Sequence, residues 1–291
     1  MTTQAALRNR ESAIVEGEYL FTRSNFEQIA QFLRVNTGIA LNEAKAALVY
    51  SRLAKRVRSL GLRDFDEYCR HVQSADGVGE QIDMINALTT NVTRFYREPH
   101  HFDHLRQELA PRLIHAAKQG KRVRLWSAAC SSGEEPYSIA LTLLDVCPDI
   151  ERFDVKILAT DIDAKIVARA RLGIYSDDAV APIPAATRER WMTRGRDQGA
   201  KQWRVKDAVR SLVTFNELNL IGAWPMRGQF DVIFCRNVVI YFEDDTQTLI
   251  WRRFKEVLKP EGRLYIGHSE RIDTPDFESA GLTIYKLTGA S

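Results

Sequence analysis

The sequence contains few cysteines and no long apolar run, and each absence removes a class of protein. Its 291 residues include only four cysteines, and no two stand in a CxxC spacing, which argues against a zinc ribbon or a disulfide framework. Such sparse cysteine usage is typical of a reducing compartment. No stretch approaches the roughly 18 apolar residues that span a membrane. Arg8, Arg10 and Glu11 interrupt the N-terminal stretch, so we expect no signal peptide.

The chain also carries little net charge, because its positive and negative residues are nearly equal in number. The formal net charge is +3, which is too small to indicate a nucleic-acid partner by itself. Together with the cysteine pattern, this predicts a cytoplasmic protein without direct membrane insertion.

Two different hydrophobic patterns divide the chain. In about the first 90 residues, apolar side chains recur at helical spacing, as in Phe26, Ile29 and Leu33, and no strand pattern is evident. Later, short apolar runs such as Phe230–Cys235 alternate with helical stretches such as Ala164–Leu172, which predicts an α/β fold with a mostly parallel sheet. We expect a small helical domain over residues 1–90 and an α/β domain over residues 91–291.

Two segments depart from these patterns. Residues 1–18 are expected to form a loose tail. Residues 173–210 separate a predicted helix from the next long strand, and this connection far exceeds the usual length of about 2–6 residues. We expect a small inserted β subdomain there.

The loop after the first predicted strand lacks the glycines of a GxGxxG motif. It carries Gly133 followed by Glu134 and Glu135, and two carboxylates at a helix start repel a diphosphate. A cofactor with a cationic head, such as S-adenosylmethionine, is favoured over NAD. Asp161 ends the second predicted strand, where an acidic residue accepts hydrogen bonds from ribose hydroxyls. The alternative is that the two glutamates only complement the helix dipole.

Other chemistry-bearing residues do not form a recognisable site. His100, His101 and His104 are close in sequence, but no third type of ligand is fixed nearby, so no metal site is expected. Cys130 and Cys235 lie near predicted strand ends without a histidine partner at a recognisable spacing, so we interpret both as small loop-lining residues.

Six motifs occur together in a fixed order. They are NVTRFYR (91–97), WSAACSSGEEPYS (126–138), TDID (160–163), FCRNVVIYF (234–242), LKPEG (258–262) and GHSE (267–270). This string resembles the CheR family of chemotaxis-receptor glutamate O-methyltransferases over about residues 24–288. The resemblance implies a class I S-adenosylmethionine-dependent methyltransferase domain (Rossmann-like), with an N-terminal all-helical domain and a small inserted β subdomain.

The resemblance also implies roles for individual residues. The implied cofactor-binding residues are Asn91, Thr93, Arg97, Glu134 or Glu135 for the methionine amino group, Asp161 for the ribose, Asn219 and Leu220 for the adenine, Arg236 and Asn237. Tyr241 is expected beside the transferred methyl group, and Arg97 is expected to orient the acceptor carboxylate unless it forms a structural salt bridge. A glutamate is already anionic at pH 7, so the transfer needs no general base. The by-product is S-adenosylhomocysteine.

A basic stretch in the helical domain predicts a docking surface. Residues 44–63 contain six cations and no acidic residue, and the methyl-accepting partner is expected to be rich in carboxylates. The predicted docking residues are Arg52, Lys55, Arg56 and Arg58. The alternative is an ordinary solvated basic face.

The implied partner is the cytoplasmic helical domain of a chemotaxis receptor. The inserted subdomain is also expected to bind a peptide at the receptor C-terminus, with Gly195 and Gly199 in the turn of its hairpin. The enzyme itself is expected to be a monomer.

Two rival functions use the same cofactor. A nucleic-acid methyltransferase that modifies base amino groups needs an Asn/Asp-Pro-Pro-Tyr-type loop after the fourth strand, whereas this chain has CRNVV from Cys235. A non-catalytic S-adenosylmethionine sensor does not need the intact Arg97 and Tyr241. We therefore expect neither nucleic-acid methylation nor a purely sensory role.

Overall fold

The computed structural model describes residues 13–197 and 200–289. They fall into two compact units. The first, called the helical unit, ends at Thr90 and also takes in Tyr241–Glu243. The second, called the α/β unit, spans Asn91–Ile240 and resumes at Asp244.

The helical unit is built from helices with identifiable caps. Its α-helices are α1 Arg23–Thr37, α2 Ala46–Ser59, α3 Phe65–Gln73 and α4 Val78–Leu88. Helix α1 starts at a capping box between Thr22 and Asn25 and ends at Gly38, whose φ of 78° is left-handed. Asp64 caps α3 by accepting from the Glu67 backbone N–H. The inward faces pack into one core around Leu33, Val49 and Tyr68.

The helical unit also contains extended segments that the sequence analysis did not predict. Strands β1 Ala13–Val15 and β2 Phe21–Thr22 pair antiparallel, so the described part of the expected tail is ordered, whereas residues 1–12 lie outside the described residues. A bridge also pairs Ile39 with Phe242. These segments are too short to show an alternating pattern, so the sequence did not predict them. The four helices of the unit confirm its predicted helical character.

The α/β unit is organised around one large sheet and one small sheet. Its strands are β3 Val123–Ala128, β4 Val155–Asp161, β5 Ile174–Ser176, β6 Met192–Asp197, β7 Ala200–Val205, β8 Val213–Glu217, β9 Phe230–Cys235, β10 Leu258–Ile266, β11 Phe277–Gly281 and β12 Ile284–Leu287. Within the described residues, the large sheet has the order β11-β12-β10-β9-β3-β4-β8. Strands β10, β9, β3, β4 and β8 run parallel to one another, whereas β12 pairs antiparallel with β10 and β11. This confirms the predicted α/β fold with a mostly parallel sheet.

Helices connect the strands of the large sheet. They are α5 Pro99–His104, α6 Ala110–Lys118, α7 Glu134–Val146, α8 Ala164–Leu172, α9 Ala185–Trp191, α10 Asp207–Arg210 and α11 Asp244–Val257. Helix α8 has the predicted bounds because Asp163 caps its start and Gly173 ends it with a φ of 62°. No helix in the part of the chain that the structure describes is long and apolar enough to cross a bilayer.

The inserted segment forms a small antiparallel sheet in the order β5-β7-β6. Trp203 of β7 donates from Nε1 to Asp177 and lies beneath the guanidinium groups of Arg188 and Arg194. Gly195 lies inside strand β6, so its predicted place in the hairpin turn was wrong. Gly199 lies outside the described residues.

Candidate active site

The candidate site lies at the carboxyl ends of the parallel strands. From β3 the chain adds β4 and β8 on one side and then returns to place β9 on the other side. Ligands in open α/β sheets bind at such a topological switch point. The loops after β3, β4 and β9 carry most of the residues singled out from the sequence.

Backbone strain is concentrated in these loops and in the segment that precedes α5. Six non-glycine residues in the described part of the chain have left-handed φ values, and five of them, with φ of 48–67°, lie here: Tyr96, Glu98, Ala129, Ser131 and Asn237. The sixth, Thr283, lies in the turn between β11 and β12. Such conformations are costly for residues with side chains and persist where the surroundings over-determine them, often at functional sites. The strain therefore marks the same region as the motifs.

The loop after β3 depends on a glycine. Gly133 has a φ of 94°, and a Cβ there would stand 2.9 Å from both Ala170 Cβ and the Tyr175 hydroxyl oxygen. Tyr175 donates its hydroxyl to the Ser132 carbonyl at 2.8 Å. The loop is therefore pinned closely against α8 and β5.

Asp161 ties this loop to the end of β4. It is 6% exposed, and its carboxylate accepts from the backbone N–H groups of Ser131 at 2.8 Å and Asp163 at 3.1 Å. Burial raises the pKa of Asp161. Each carboxylate oxygen accepts about two hydrogen bonds, so acceptor capacity remains for a ligand's hydroxyl groups.

Asn91 joins the same cluster. Its side-chain amide donates to Asp163 at 3.0 Å, and its carbonyl accepts from the Ser131 hydroxyl at 3.1 Å. The structure thus brings Asn91 and Asp161 to the same pair of loops, as predicted. Thr93, two residues further on, is half-buried.

Arg236 is the buried cation of the site. Its side chain is 2% exposed and pairs with Glu135 at 3.0 Å and with Glu98 at 3.0 Å. It also donates to the Arg97 carbonyl. Arg236 therefore links the loop after β9 to the start of α7 and to the segment before α5.

Glu98 is a site carboxylate that the sequence analysis missed. Burial alone would raise its pKa, but Arg236 and the hydrogen bonds from His268 hold the pKa of Glu98 at about 2. Its Oε1 accepts from the His268 backbone N–H at 3.2 Å and ring Nδ1 at 2.9 Å. Glu98 is therefore ionised at neutral pH.

Glu134 and Glu135 have different surroundings. Burial raises the pKa of both carboxyl groups. Glu134 accepts from the Ser132 hydroxyl at 2.6 Å, whereas Glu135 accepts from the Ser127 hydroxyl at 2.7 Å and pairs with Arg236. Glu135 therefore belongs to the cluster that contains Arg97 and Arg236.

Arg97 makes no salt bridge in the described part of the chain, so the structural salt-bridge alternative is not what the structure shows. Its Nη1 donates to the Val92 carbonyl at 2.9 Å. The remaining guanidinium N–H groups have no acceptor within the described residues, and they are available to a carboxylate.

Asn219 and Leu220 lie in the loop after β8. The Leu218 backbone N–H donates to the Asp161 carbonyl at 2.9 Å, which fixes the start of this loop beside the end of β4. The Asn219 side chain accepts from the Ile221 N–H at 3.1 Å. The predicted adenine residues therefore follow directly from the strand that neighbours Asp161.

Glu270 is a second carboxylate that the sequence analysis missed. It is 3% exposed and accepts from the backbone N–H groups of Asn237, Val238 and Val239 at 2.8–2.9 Å. Gly267 is required beside it, because a Cβ there would approach the Asn237 backbone nitrogen to 2.8 Å. Glu270 thereby fixes the loop that carries Arg236 and Asn237.

Tyr241 is grouped with the helical unit. Its carbonyl accepts from the Ala40 backbone N–H at 2.8 Å, and it ends a short 3₁₀ turn that starts at Val239. The expected contact of Tyr241 with the transferred methyl group stays a prediction.

The histidines and cysteines named in the sequence analysis are held within the fold. His101 is buried against Thr283, with 2.8 Å between Nε2 and Oγ1, and burial lowers its pKa to about 3. His104 Nδ1 lies 2.8 Å from the Tyr265 hydroxyl. Burial raises the thiol pKa values of Cys130 and Cys235, which disfavours the thiolate needed by a nucleophile.

Two of the predicted docking arginines have structural partners instead. Arg52 donates to the carbonyls of Ala87, Leu88 and Thr89 at 2.8–3.2 Å, which caps the end of α4. Arg56 pairs with Glu80 and Asp83.

The other two predicted docking residues face solvent. Lys55 is exposed, and the described residues include no hydrogen-bond or salt-bridge partner for it. Arg58 pairs with Glu18 on the surface, where both side chains are more than half exposed. Exposed pairs of this kind are worth little, so both cations remain accessible to a partner.

The buried carboxylates of the site fit S-adenosylmethionine. Asp161, Glu134 and Glu135 are all buried beside the loop after β3, and their negative charge complements a sulfonium and an ammonium group rather than a diphosphate. Asp161 is a buried carboxylate at the end of β4, the kind of acceptor that ribose hydroxyls need. The topology and this acidic site together define a class I S-adenosylmethionine-dependent methyltransferase.

Two family models match nearly the whole chain. The CheR methyltransferase SAM-binding domain matches residues 91–286, and the CheR methyltransferase all-alpha domain matches residues 24–89. The chain therefore belongs to the CheR methyltransferase family. It is an enzyme, and S-adenosylmethionine is its cofactor.

Curated relatives agree with this membership. A probable chemotaxis protein methyltransferase of Rhizobium etli is 52% identical over 87% of this chain and 96% of its own length. Chemotaxis protein methyltransferase 2 of Pseudomonas aeruginosa is 44% identical, covering 92% of this chain and 94% of the relative. The chemotaxis protein methyltransferase of Escherichia coli is 40% identical, covering 91% of both chains.

Proposed function

We propose that the protein transfers a methyl group from S-adenosylmethionine to glutamate side chains of chemotaxis receptors, forming glutamyl γ-methyl esters. The observation that carries this proposal is the convergence of four segments at one acidic site. Hydrogen bonds link the segments of Asn91 and Asp161 through Ser131 and Asp163. Glu135, just after the same loop, pairs with Arg236 from the loop after β9. The relatives' chemotaxis names support a receptor as the acceptor.

The cofactor supplies an electrophilic methyl group on a positively charged sulfur. Asp161 would hold its ribose, and the loop of Asn219 and Leu220 would flank its adenine. Glu135 would bind the methionine ammonium group, since it lies on the side of Arg97 and Arg236, whereas the Glu134 carboxylate is turned towards Ser132.

The acceptor needs orientation rather than deprotonation. A glutamate with its ordinary pKa of about 4.3 is a carboxylate at neutral pH. Arg97 would bind it through paired N–H donors, with its guanidinium already positioned by the Val92 carbonyl. The neutral ester is bound less tightly by Arg97, which favours product release. We assign Tyr241 to the acceptor side of the reaction.

Replacing Glu135 with glutamine is expected to weaken S-adenosylmethionine binding about tenfold or more, since hydrogen bonds to charged groups contribute about 1.5–3 kcal/mol. Binding of 5′-methylthioadenosine, which lacks the amino-acid part, should change much less. Calorimetry with both ligands measures the difference. Glu134→Gln is the matched control, and an equal or larger loss in that variant would move the assignment to Glu134.

Docking of the receptor is assigned to Lys55 and Arg58, the exposed members of the predicted basic surface. Lys55→Glu combined with Arg58→Glu should lower kcat/KM for the receptor while leaving S-adenosylmethionine affinity unchanged, because charge complementarity mainly affects encounter. The loss should shrink as the Debye length falls from about 10 Å at 0.1 M salt to about 3 Å at 1 M.

The control for docking is Lys118→Glu with Lys121→Glu, which makes the same change in net charge on exposed lysines of the α/β unit. Equal kinetics of the two double variants at low salt would place the docking surface elsewhere. Arg52 and Arg56 are unsuitable for this test, because their replacement removes contacts within the helical unit.

The inserted subdomain offers a second contact for the receptor. Within the described residues, strand β6 pairs on one side only, with β7, and an edge strand presents backbone groups to an extended peptide. Deleting the last residues of the receptor should raise the apparent KM if this peptide is bound there. An unchanged KM would show that the C-terminal peptide of the receptor does not contribute to binding.

The proposal is tested by methyl transfer to the cytoplasmic domain of a chemotaxis receptor, with mass spectrometry of its peptides. We expect a methyl group on glutamate residues and none on receptors in which those glutamates are replaced by alanine. We place this reaction in the cytoplasm, where four free cysteines are compatible with a reducing environment. We propose that the enzyme acts as a monomer.

A further inference from the structure

The loop that follows β8 is shaped by contacts from helix α11. The loop turns tightly at Asn219, whose carbonyl accepts from the Gly222 N–H at 3.0 Å. The carbonyl groups of Leu220 and Gly222 follow in this loop. Both accept hydrogen bonds from Arg253, at 2.8 Å from Nη1 and 2.5 Å from Nη2.

Arg253 has no salt-bridge partner in the described residues. Its guanidinium carbon lies 4.1 Å from the ring centroid of Trp224, and burial lowers its pKa. A planar guanidinium with two N–H groups on two carbonyls and one face on an indole has a fixed orientation. The arginine therefore imposes a specific separation on the carbonyls of Leu220 and Gly222.

Trp224 connects this arrangement to the strands of the active site. Its Nε1 donates to the Leu220 carbonyl at 3.0 Å, and its ring packs edge-on against Trp126 with centroids 4.8 Å apart. Trp126 in turn donates to the Thr160 hydroxyl at 2.9 Å, and Thr160 directly precedes Asp161. The loop after β8 and the ribose carboxylate are thus held by one continuous set of contacts.

We propose that Arg253 is a positioning residue for cofactor binding: it fixes the loop at Leu220 and thereby sets the affinity of the site for the adenosine half of S-adenosylmethionine. This inference rests on the proposed placement of the adenine at Asn219 and Leu220. The contacts of Arg253 are with the Leu220 and Gly222 carbonyls and the Trp224 ring, so we expect its effect on cofactor binding and not on the transfer step.

The neighbouring residue supplies a matched control. Arg252 is exposed, carries the same charge on the same helix, and has no hydrogen-bond or salt-bridge partner in the described part of the chain. Arg253→Gln should raise the Kd of S-adenosylmethionine about tenfold or more, and that of 5′-methylthioadenosine by the same factor. Arg252→Gln should leave both values unchanged.

The kinetic pattern separates positioning from a general loss of structure. For Arg253→Gln we expect a raised KM for S-adenosylmethionine with kcat at saturating cofactor within about twofold of the starting protein. Arg253→Lys keeps the charge but lacks the planar fork, so it should recover only part of the affinity. Calorimetry provides the binding constants independently of turnover.

Several results would overturn the inference. One is an unchanged Kd in Arg253→Gln, and another is a fall in kcat at saturating cofactor without a change in Kd. If Arg253→Gln does not fold, Trp224→Phe removes the indole donor from the Leu220 carbonyl and must weaken both ligands equally. Failure of the unaltered protein to bind S-adenosylmethionine would instead contradict the proposed function. The experiment therefore distinguishes failure of the Arg253 inference from failure of the proposed function.

Discussion

Replacing Arg236 with methionine is expected to lower the free energy of unfolding of the α/β unit by about 3–5 kcal/mol, the cost of removing one partner from a buried ion pair. The change leaves the carboxylates of Glu98 and Glu135 without their common cation. It also removes the donor to the Arg97 carbonyl. Urea denaturation followed by tryptophan fluorescence measures this loss. All five tryptophans lie in the sequence of the α/β unit, so the signal reports that unit.

The loss should depend on pH in a defined direction. Despite its burial, Glu98 has a folded-state pKa of about 2, against an ordinary value of 4.5. A carboxyl group with a lowered pKa stabilises the folded state above its unfolded pKa, and this contribution disappears as the pH falls towards the folded value. The difference between the two proteins should therefore be full at neutral pH and shrink between about pH 4.5 and 2.

A compensated variant provides the control for Arg236. Adding Glu98→Gln and Glu135→Gln to Arg236→Met removes the uncompensated charges, so part of the lost stability should return. A single Arg236→Met variant within about 1 kcal/mol of the starting protein would contradict this interpretation of the ion-pair network.

Asp161→Ala is expected to weaken S-adenosylmethionine binding by about 2–3 kcal/mol, corresponding to roughly 30-fold to 150-fold in Kd. The substitution removes the expected ribose acceptor. It also frees the N–H groups of Ser131 and Asp163 that now bond to the carboxylate, which loosens the loop after β3. Calorimetry with S-adenosylmethionine and S-adenosylhomocysteine measures the effect.

Glu217 is the matched control for Asp161. It pairs in register with Asp161 across β4 and β8, but its side chain is exposed. Glu217→Ala should bind both ligands normally. Unchanged affinity in Asp161→Ala would remove this carboxylate from the cofactor site.

Elements with a local stop signal were predictable from the sequence. Helix α8 was predicted from Ala164 to Leu172, because Asp163 and Gly173 supply caps that need no tertiary context. Strand β9 was predicted from Phe230 to Cys235 because its apolar run is short and continuous. Strands β1 and β2 were missed, since pairings of two or three residues carry no periodic signal.

The basic stretch in α2 shows where local charge counting fails. Residues 44–63 contain no acidic residue, yet the fold brings Glu80 and Asp83 of α4 to Arg56. Arg52 meets backbone carbonyls, which carry no signature in a sequence. Partners this distant along the chain become visible only when the helices are packed.

The carboxylates Glu98 and Glu270 were missed for a related reason. They bind backbone N–H groups and Arg236, and no residue pattern encodes those donors. One signal was present: Glu98 directly follows the NVTRFYR motif and Glu270 ends the GHSE motif. An acidic residue in such a motif with no catalytic assignment is a candidate for fixing loop geometry.

The most direct test of the central claim is the chemical stability of the transferred methyl group. The purified protein is incubated with S-adenosylmethionine carrying a labelled methyl group and with the cytoplasmic domain of a chemotaxis receptor, and the labelled product is then treated with mild alkali. A glutamyl γ-methyl ester hydrolyses and releases the label as methanol, which is the result we predict. A label that stays on the receptor through alkali, or that enters nucleic acid instead, would contradict the account.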